Sequence, residues 1–297
     1  MVSIRNQYQP RMITAARQVL LELASILEEE RDKIVFVGGT ACALLFSQTV
    51  DPHEGTIDVD IAINPVTLVE YGDDTLEEKL IYANFQRDAL KEGEESRPIK
   101  KYRWFRHVSG DGDSQDVEVA VDLLAGEYDD RLQQQKPQEV QGLCPSRLHG
   151  LDLAFLDPQW VSLSGVLLSG KPYHTQVQVC SAASLLAMKG IAIADRLHGQ
   201  DKDAFDIDYI LRRYDGGPDA LARVFQTDPY WYHGLVQEGL QGIAQAFGSL
   251  NAIGPTSVAS ESRYPDMDVR AIERQGAFLR VQRLLKILNI STQDSSL

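Results

Sequence analysis

Basic residues are in short supply. The chain carries 29 Lys and Arg against 43 Asp and Glu, a formal net charge of −14. That balance favours solubility and argues against generic attraction to nucleic-acid phosphates or anionic membranes, while leaving room for a local basic patch. Cysteine is scarce too. Cys42, Cys144 and Cys180 are far apart and odd in number, so no pair has metal-ligand spacing and no disulfide framework is suggested. Free thiols in a reducing cytoplasm fit best. The histidines (His53, His107, His149, His174, His198 and His233) form no H-x-x-x-H pair, which removes a zinc-hydrolase reading. The opening MVSIRNQYQPRM lacks the apolar core of a signal peptide. The longest apolar stretch, from Val177 to Ala194, is broken by Gln178, serines and Lys189 and is too mixed for a membrane span. The expectation is a cytoplasmic protein with no membrane partner.

What remains is ordinary material for a globular fold. A chain of 297 residues that is 43% hydrophobic can bury a real core in one large domain or two modest ones. Met12, Ala16, Val19, Leu20, Leu23, Ile26 and Leu27 recur at helical spacing and predict an amphipathic helix from Pro10 to Glu30. Strands are expected at Ile34 to Val37, Thr56 to Ile63, Ile99 to Val108, Val117 to Leu124, Gln159 to Leu168 and Gln176 to Val179, with a helix from Leu76 to Glu95. After Cys180 the character changes. Ser181 to Leu197 and Lys202 to Tyr214 read as helices, and two or three more follow, ending with Val269 to Leu288. The fold class is therefore α/β (α+β): a mixed sheet flanked by helices over residues 1–180, and a helical domain over residues 181–297.

The informative segment is VFVGGTACALLFSQTVDPHEGTIDVDIAI. Its second strand carries Asp58 and Asp60. Side chains two apart on a strand share a face, so both carboxylates project together. Two like charges in one place are unfavourable unless something positive sits between them, and a hard divalent cation takes oxygen ligands. Gly38 and Gly39 let the backbone turn sharply and let a ligand approach. Thr40 can cap the helix from Ala41 to Phe46, whose first N–H groups suit a phosphate. On the later strand DVEVAVDLLAG, Glu118, Ala120 and Asp122 share a face, and Asp122 is flanked by apolar residues. It is the candidate third carboxylate, for a two-metal site or as general base, with Glu118 and Asp116 as competitors. The stretch Arg97 to His107 interleaves Arg97, Lys100, Lys101, Arg103, Arg106 and His107 with three aromatics. It reads as a strand with a basic solvent face, or as a patch for RNA or a triphosphate.

These motifs resemble the DNA polymerase β-like nucleotidyltransferase superfamily, and within it the AbiEii/AbiGii-type toxin nucleotidyltransferases. LLAMKGIAIADRLHGQDKDAFDIDYILRRY is similar to that family's lysine helix and the acidic helix after it. The resemblance implies a nucleotidyltransferase core followed by a helical half. It implies Asp58, Asp60 and Asp122 as catalytic, metal-holding residues for Mg²⁺ or Mn²⁺. It implies nucleotide contacts from Gly38, Gly39, Thr40, Lys189 and Asp206, with Asp203 beside the last and Arg196 and Lys202 as basic positions. From the residues alone, Lys189 interrupts an otherwise apolar helix face: it is either a snorkelling surface lysine or a buried ammonium that needs a triphosphate or an acidic side chain as partner. The expected reaction is transfer of NMP from an NTP to an acceptor hydroxyl, an RNA or tRNA end as in a toxin, with an antitoxin partner. A protein or small-molecule acceptor, or a non-catalytic nucleotide-sensing module, are the alternatives. The loop DPHEGTIDVD departs from the family in having Gly55 where an Arg is common.

Overall fold

Eight short strands assemble one mixed sheet. A computed structural model describes residues 10–48, 56–65, 67–68, 74–90, 97–110, 116–127, 139–195, 201–261 and 266–291. The loop 51–55, residues 91–95 of the expected helix, Arg196 and His198 lie outside them. The described residues fall into two compact units, 10–45 with 56–180, and 46–48 with 181–291.

The first unit holds helices α1 (Pro10–Ile26), α2 (Gly38–Leu45) and α3 (Leu76–Tyr82). Its strands are β1 (Ile34–Phe36), β2 (Asp58–Ile63), β3 (Gln86–Arg87), β4 (Arg103–Val108), β5 (Val117–Gly126), β6 (Ser146–Leu148), β7 (Gln159–Val166) and β8 (Pro172–Val179). The sheet runs β3-β4-β5-β2-β1-β8-β7, with β6 also paired to β5. Parallel pairs β2–β5, β1–β8 and β5–β6 mix with antiparallel pairs elsewhere, so the class is mixed α/β. Val35, Phe36, Ile61, Val121, Leu123 and Val179 are buried in the middle of the sheet, and the α1 stripe Ala16, Val19, Leu20 and Leu23 packs toward it. Burial of such side chains is the main driving force here, on the order of 2 kcal/mol each.

Two expectations about boundaries are corrected. The helix from Leu76 stops at Tyr82, not near Glu95. Asn84 adopts a left-handed conformation (φ 60°), and the Phe85 and Asn84 N–H groups close back on Leu80 O and Ile81 O. That is a Schellman ending, with Asn in the place usually taken by Gly. Helix α2 begins at Gly38 rather than after Thr40. Thr40 therefore sits inside the first turn, and its hydroxyl donates to Asp58 O at 3.4 Å instead of capping the helix.

The second unit is helical in its described residues, with α4 (Ala182–Asp195), α5 (Asp201–Arg213), α6 (Gly217–Phe225), α7 (Gly234–Ala246), α8 (Ile253–Ser260) and α9 (Met267–Ile287). Four helices, not two or three, follow α5. Helices α4 and α7 approach closely through small residues. A Cβ on Gly190 would lie 2.0 Å from Gly239 O, and one on Gly239 would lie 2.2 Å from Ala187 O. Arg280 of α9 reaches α5, where its Nε donates to buried Asp208 Oδ1 at 2.8 Å.

Candidate active site

Strands β2 and β5 pair in parallel register, with Asp60 opposite Asp122 and Asp58 opposite Ala120. Residues directly opposite in such a pair point to the same side of the sheet, and Asp58 shares that side by period-two alternation. The three carboxylates thus share one face of two adjacent strands. Asp58 and Asp60 are half-buried and Asp122 is buried. Of the competitors, Asp116 precedes the strand and accepts from Gly110 N–H at 3.0 Å. Glu118 is exposed and lies 3.3 Å from His107 Nε2.

The glycine turn meets this face at Asp60. Val37 N–H donates to Asp60 O at 3.1 Å, tying the end of β1 to the acidic strand. Gly38 then takes φ +62°, and a Cβ there would lie 2.2 Å from Asp60 Oδ2. No L side chain satisfies both conditions, so glycine is required by conformation and by the approach of the carboxylate. Gly39 and buried Thr40 continue the first turn of α2.

Asp122 has a partner of its own. Arg103, directly opposite it on β4, donates Nε to Oδ1 and Nη2 to Oδ2, both at 2.7 Å. The hydrogen bonds to Asp122 raise the guanidinium's pKa above its ordinary value against the opposing effect of burial, and the Asp122 and Asp58 charges add to them. The oxygen-only donors of Asp58, Asp60 and Asp122 fit a hard divalent cation. As the side chains stand, no three Asp, Glu, His or Cys residues among the described residues are grouped to hold a metal ion.

Comparison with known families decides the class of protein. The family described as "Nucleotidyl transferase AbiEii toxin, Type IV TA system" matches residues 21–274. The chain belongs to this AbiEii family. No curated protein and no solved structure matches it. AbiEii membership brings nucleotidyl transfer in a toxin–antitoxin system, and an antitoxin as partner class. No described helix of this AbiEii chain is long and apolar enough to cross a membrane.

The other sequence-read contacts belong to the helical unit. Lys189 Nζ lies 2.8 Å from Asp203 Oδ1 and 2.7 Å from Asp206 Oδ2. Two acidic side chains thus pair with the Lys189 ammonium. Asp203 and Asp206 lie one turn apart on α5, which brings both to the same ammonium.

The expected basic patch is largely spent on internal pairs. Arg97 is forked onto Asp88 at 2.6 and 2.9 Å, with Asp88 buried, and this holds the Asp88 carboxyl down at about 2. The Arg106 guanidinium lies over the Phe85 ring, 5.8 Å from its centroid, and His107 faces Glu118. Sequence reading placed Arg103 in this patch and missed its pairing with Asp122. The available signal was the β4–β5 hairpin: strands closing around the turn residues after Val108 bring Arg103 opposite Asp122 if the register starts at Val108 and Val117.

Proposed function

We propose that the chain transfers a nucleoside monophosphate from an NTP to an acceptor hydroxyl, with an RNA end, such as that of a tRNA, as the acceptor. The observation that carries this reading is the β2–β5 register, which sets Asp60 opposite Asp122 with Asp58 on the same face and Gly38 against Asp60. Asp58 and Asp60 would hold Mg²⁺ or Mn²⁺, joined by Asp122, and the ion would offset charge on the triphosphate and the leaving pyrophosphate. Gly38 and Gly39 offer the triphosphate a side-chain-free approach, and with Thr40 they supply the N–H groups of a helix's first turn. Asp122 orients the acceptor hydroxyl and takes up its proton as the oxygen attacks the α-phosphorus and the bond to pyrophosphate breaks. Positioning and charge neutralisation supply most of the rate in such transfers.

The test is incubation of the full chain with total RNA and each α-labelled NTP, beside a folded Asp58→Asn/Asp60→Asn variant. Label on RNA that disappears in the variant supports the reading, and unchanged label transfer overturns it. With a net charge of −14, wide RNA contact is disfavoured, so an RNA end rather than a long duplex is the expected acceptor. Label appearing on a protein or a small molecule would reassign the acceptor while keeping the transfer. A second reading, nucleotide sensing without turnover, is favoured by the occupation of both Asp122 oxygens by Arg103. Tight nucleotide binding with no pyrophosphate released to any acceptor would support it.

A further inference from the structure

We propose that Arg103 is a phosphate ligand held in reserve: it closes on Asp122 in the free protein, and an entering nucleoside triphosphate takes the guanidinium and releases both Asp122 oxygens. The inference rests on the nucleotidyl-transfer reading and deepens it by naming how nucleotide entry readies the third carboxylate.

The geometry suits an exchange of partners. The Nε and Nη2 contacts, both 2.7 Å, form a side-on fork, and the same planar fork fits two oxygens of a phosphate. The pair is not sealed away. Arg103 keeps 24% of its side chain exposed and Asp122 keeps 12%. Of the three arginines in the basic stretch, Arg103 alone points to the carboxylate face. Arg106 is on the opposite face of β4 by alternation, and Arg97 is committed to buried Asp88. The exchange also links the two ligands. A divalent cation joining Asp122 repels a guanidinium left beside it, while a triphosphate draws that guanidinium off. Each ligand therefore favours the other, and the coupling is reciprocal.

The experiment is calorimetric titration of the full-length protein with the α,β-methylene analogues of all four NTPs, in Mg²⁺ and in EDTA. Arg103→Gln is expected to weaken binding at least 10-fold in both buffers. Asp122→Asn keeps the shape of its side chain but loses the charge that holds the fork, and is expected to tighten binding at least threefold in EDTA. Arg103→Gln/Asp122→Asn leaves no lone buried charge to threaten the fold, and is expected to bind as weakly as Arg103→Gln. Arg103→Gln binding within twofold of wild type overturns the proposal, as does Asp122→Asn binding as weakly as Arg103→Gln, or a double variant restored to wild-type affinity. If wild type binds none of the analogues in either buffer, the nucleotidyl-transfer reading falls and the proposal falls with it. Wild-type binding alongside an unaffected Arg103→Gln removes the proposal alone.

Discussion

Lys189 and Asp206 form an ion pair of 2.7 Å in which the carboxylate side chain is 0% exposed, and Asp203 joins the same ammonium at 2.8 Å. Burial pushes the Lys189 pKa down, but the Asp206 and Asp203 charges outweigh it and hold the ammonium well above its ordinary range. Removing one partner of a buried ion pair leaves uncompensated charge and costs about 3–5 kcal/mol. Lys189→Met is therefore expected to lower unfolding free energy by about that amount in urea at neutral pH. Adding Asp203→Asn and Asp206→Asn should recover much of the loss. A Lys189→Met protein within about 1 kcal/mol of wild type would contradict this account, on the scale of a surface pair. The pairing also governs how activity data are read: a dead Lys189 variant speaks to nucleotide contact only if it is still folded.

Gly38→Ala places a methyl where the Asp60 carboxylate lies, at a backbone φ of +62°. The backbone alone costs on the order of 1 kcal/mol, and the carboxylate must move as well. Transferase activity is expected to fall by about 100-fold or more, since an ångström of misplacement has that effect. Steady-state kinetics on protein with an unchanged far-UV spectrum would check it, and activity within about threefold of wild type would refute the close approach.

Asp88 supplies a pH dependence with a definite sign. Its carboxyl is held at about 2, chiefly by hydrogen bonds from Arg97 working against burial, compared with 3.8 for an ordinary aspartate. A depressed carboxyl contributes stability that is fully present above the unfolded value and is lost as pH falls from about 4 toward 2. Arg97→Gln is thus expected to cost about 1–2 kcal/mol at pH 7. The gap from wild type should narrow below pH 4. Urea unfolding at pH 7, 5 and 3.5 measures this, and a gap that widens toward acid would reverse the assignment.

Gly239→Ala tests the contact between α4 and α7. The added Cβ would lie 2.2 Å from the Ala187 carbonyl oxygen, which is backbone and cannot swing aside. Overpacking of this kind costs about 1–3 kcal/mol, more than offsetting the better helix propensity of alanine. A thermal unfolding scan should show a lower midpoint, and an unchanged or higher midpoint would mean that the helices separate freely.

The parts of the candidate site visible in the sequence are those that depend on neighbours along the chain. Period-two alternation puts Asp58 and Asp60 on one face, and the glycine turn before a helix is local chemistry. The stripe from Ala16 to Leu23 and the apolar runs of β1 and β5 likewise announce a sheet packed by helices. Other features waited for the tertiary structure. The end of α3 at Tyr82 turned on Asn84 taking a left-handed conformation that many sequences around it would not require. Asp122 facing Asp60 depends on a parallel pairing between strands separated by α3, β3 and β4, and Arg103 facing Asp122 depends on hairpin register. The choice of Asp203 and Asp206 as partners for Lys189 came from helices packed so that a buried ammonium meets acidic side chains. Local pattern fixes which way a side chain points within its own element. Which distant side chain it meets is set by how elements pair and pack, because that is decided by burying the whole core together rather than by any one segment.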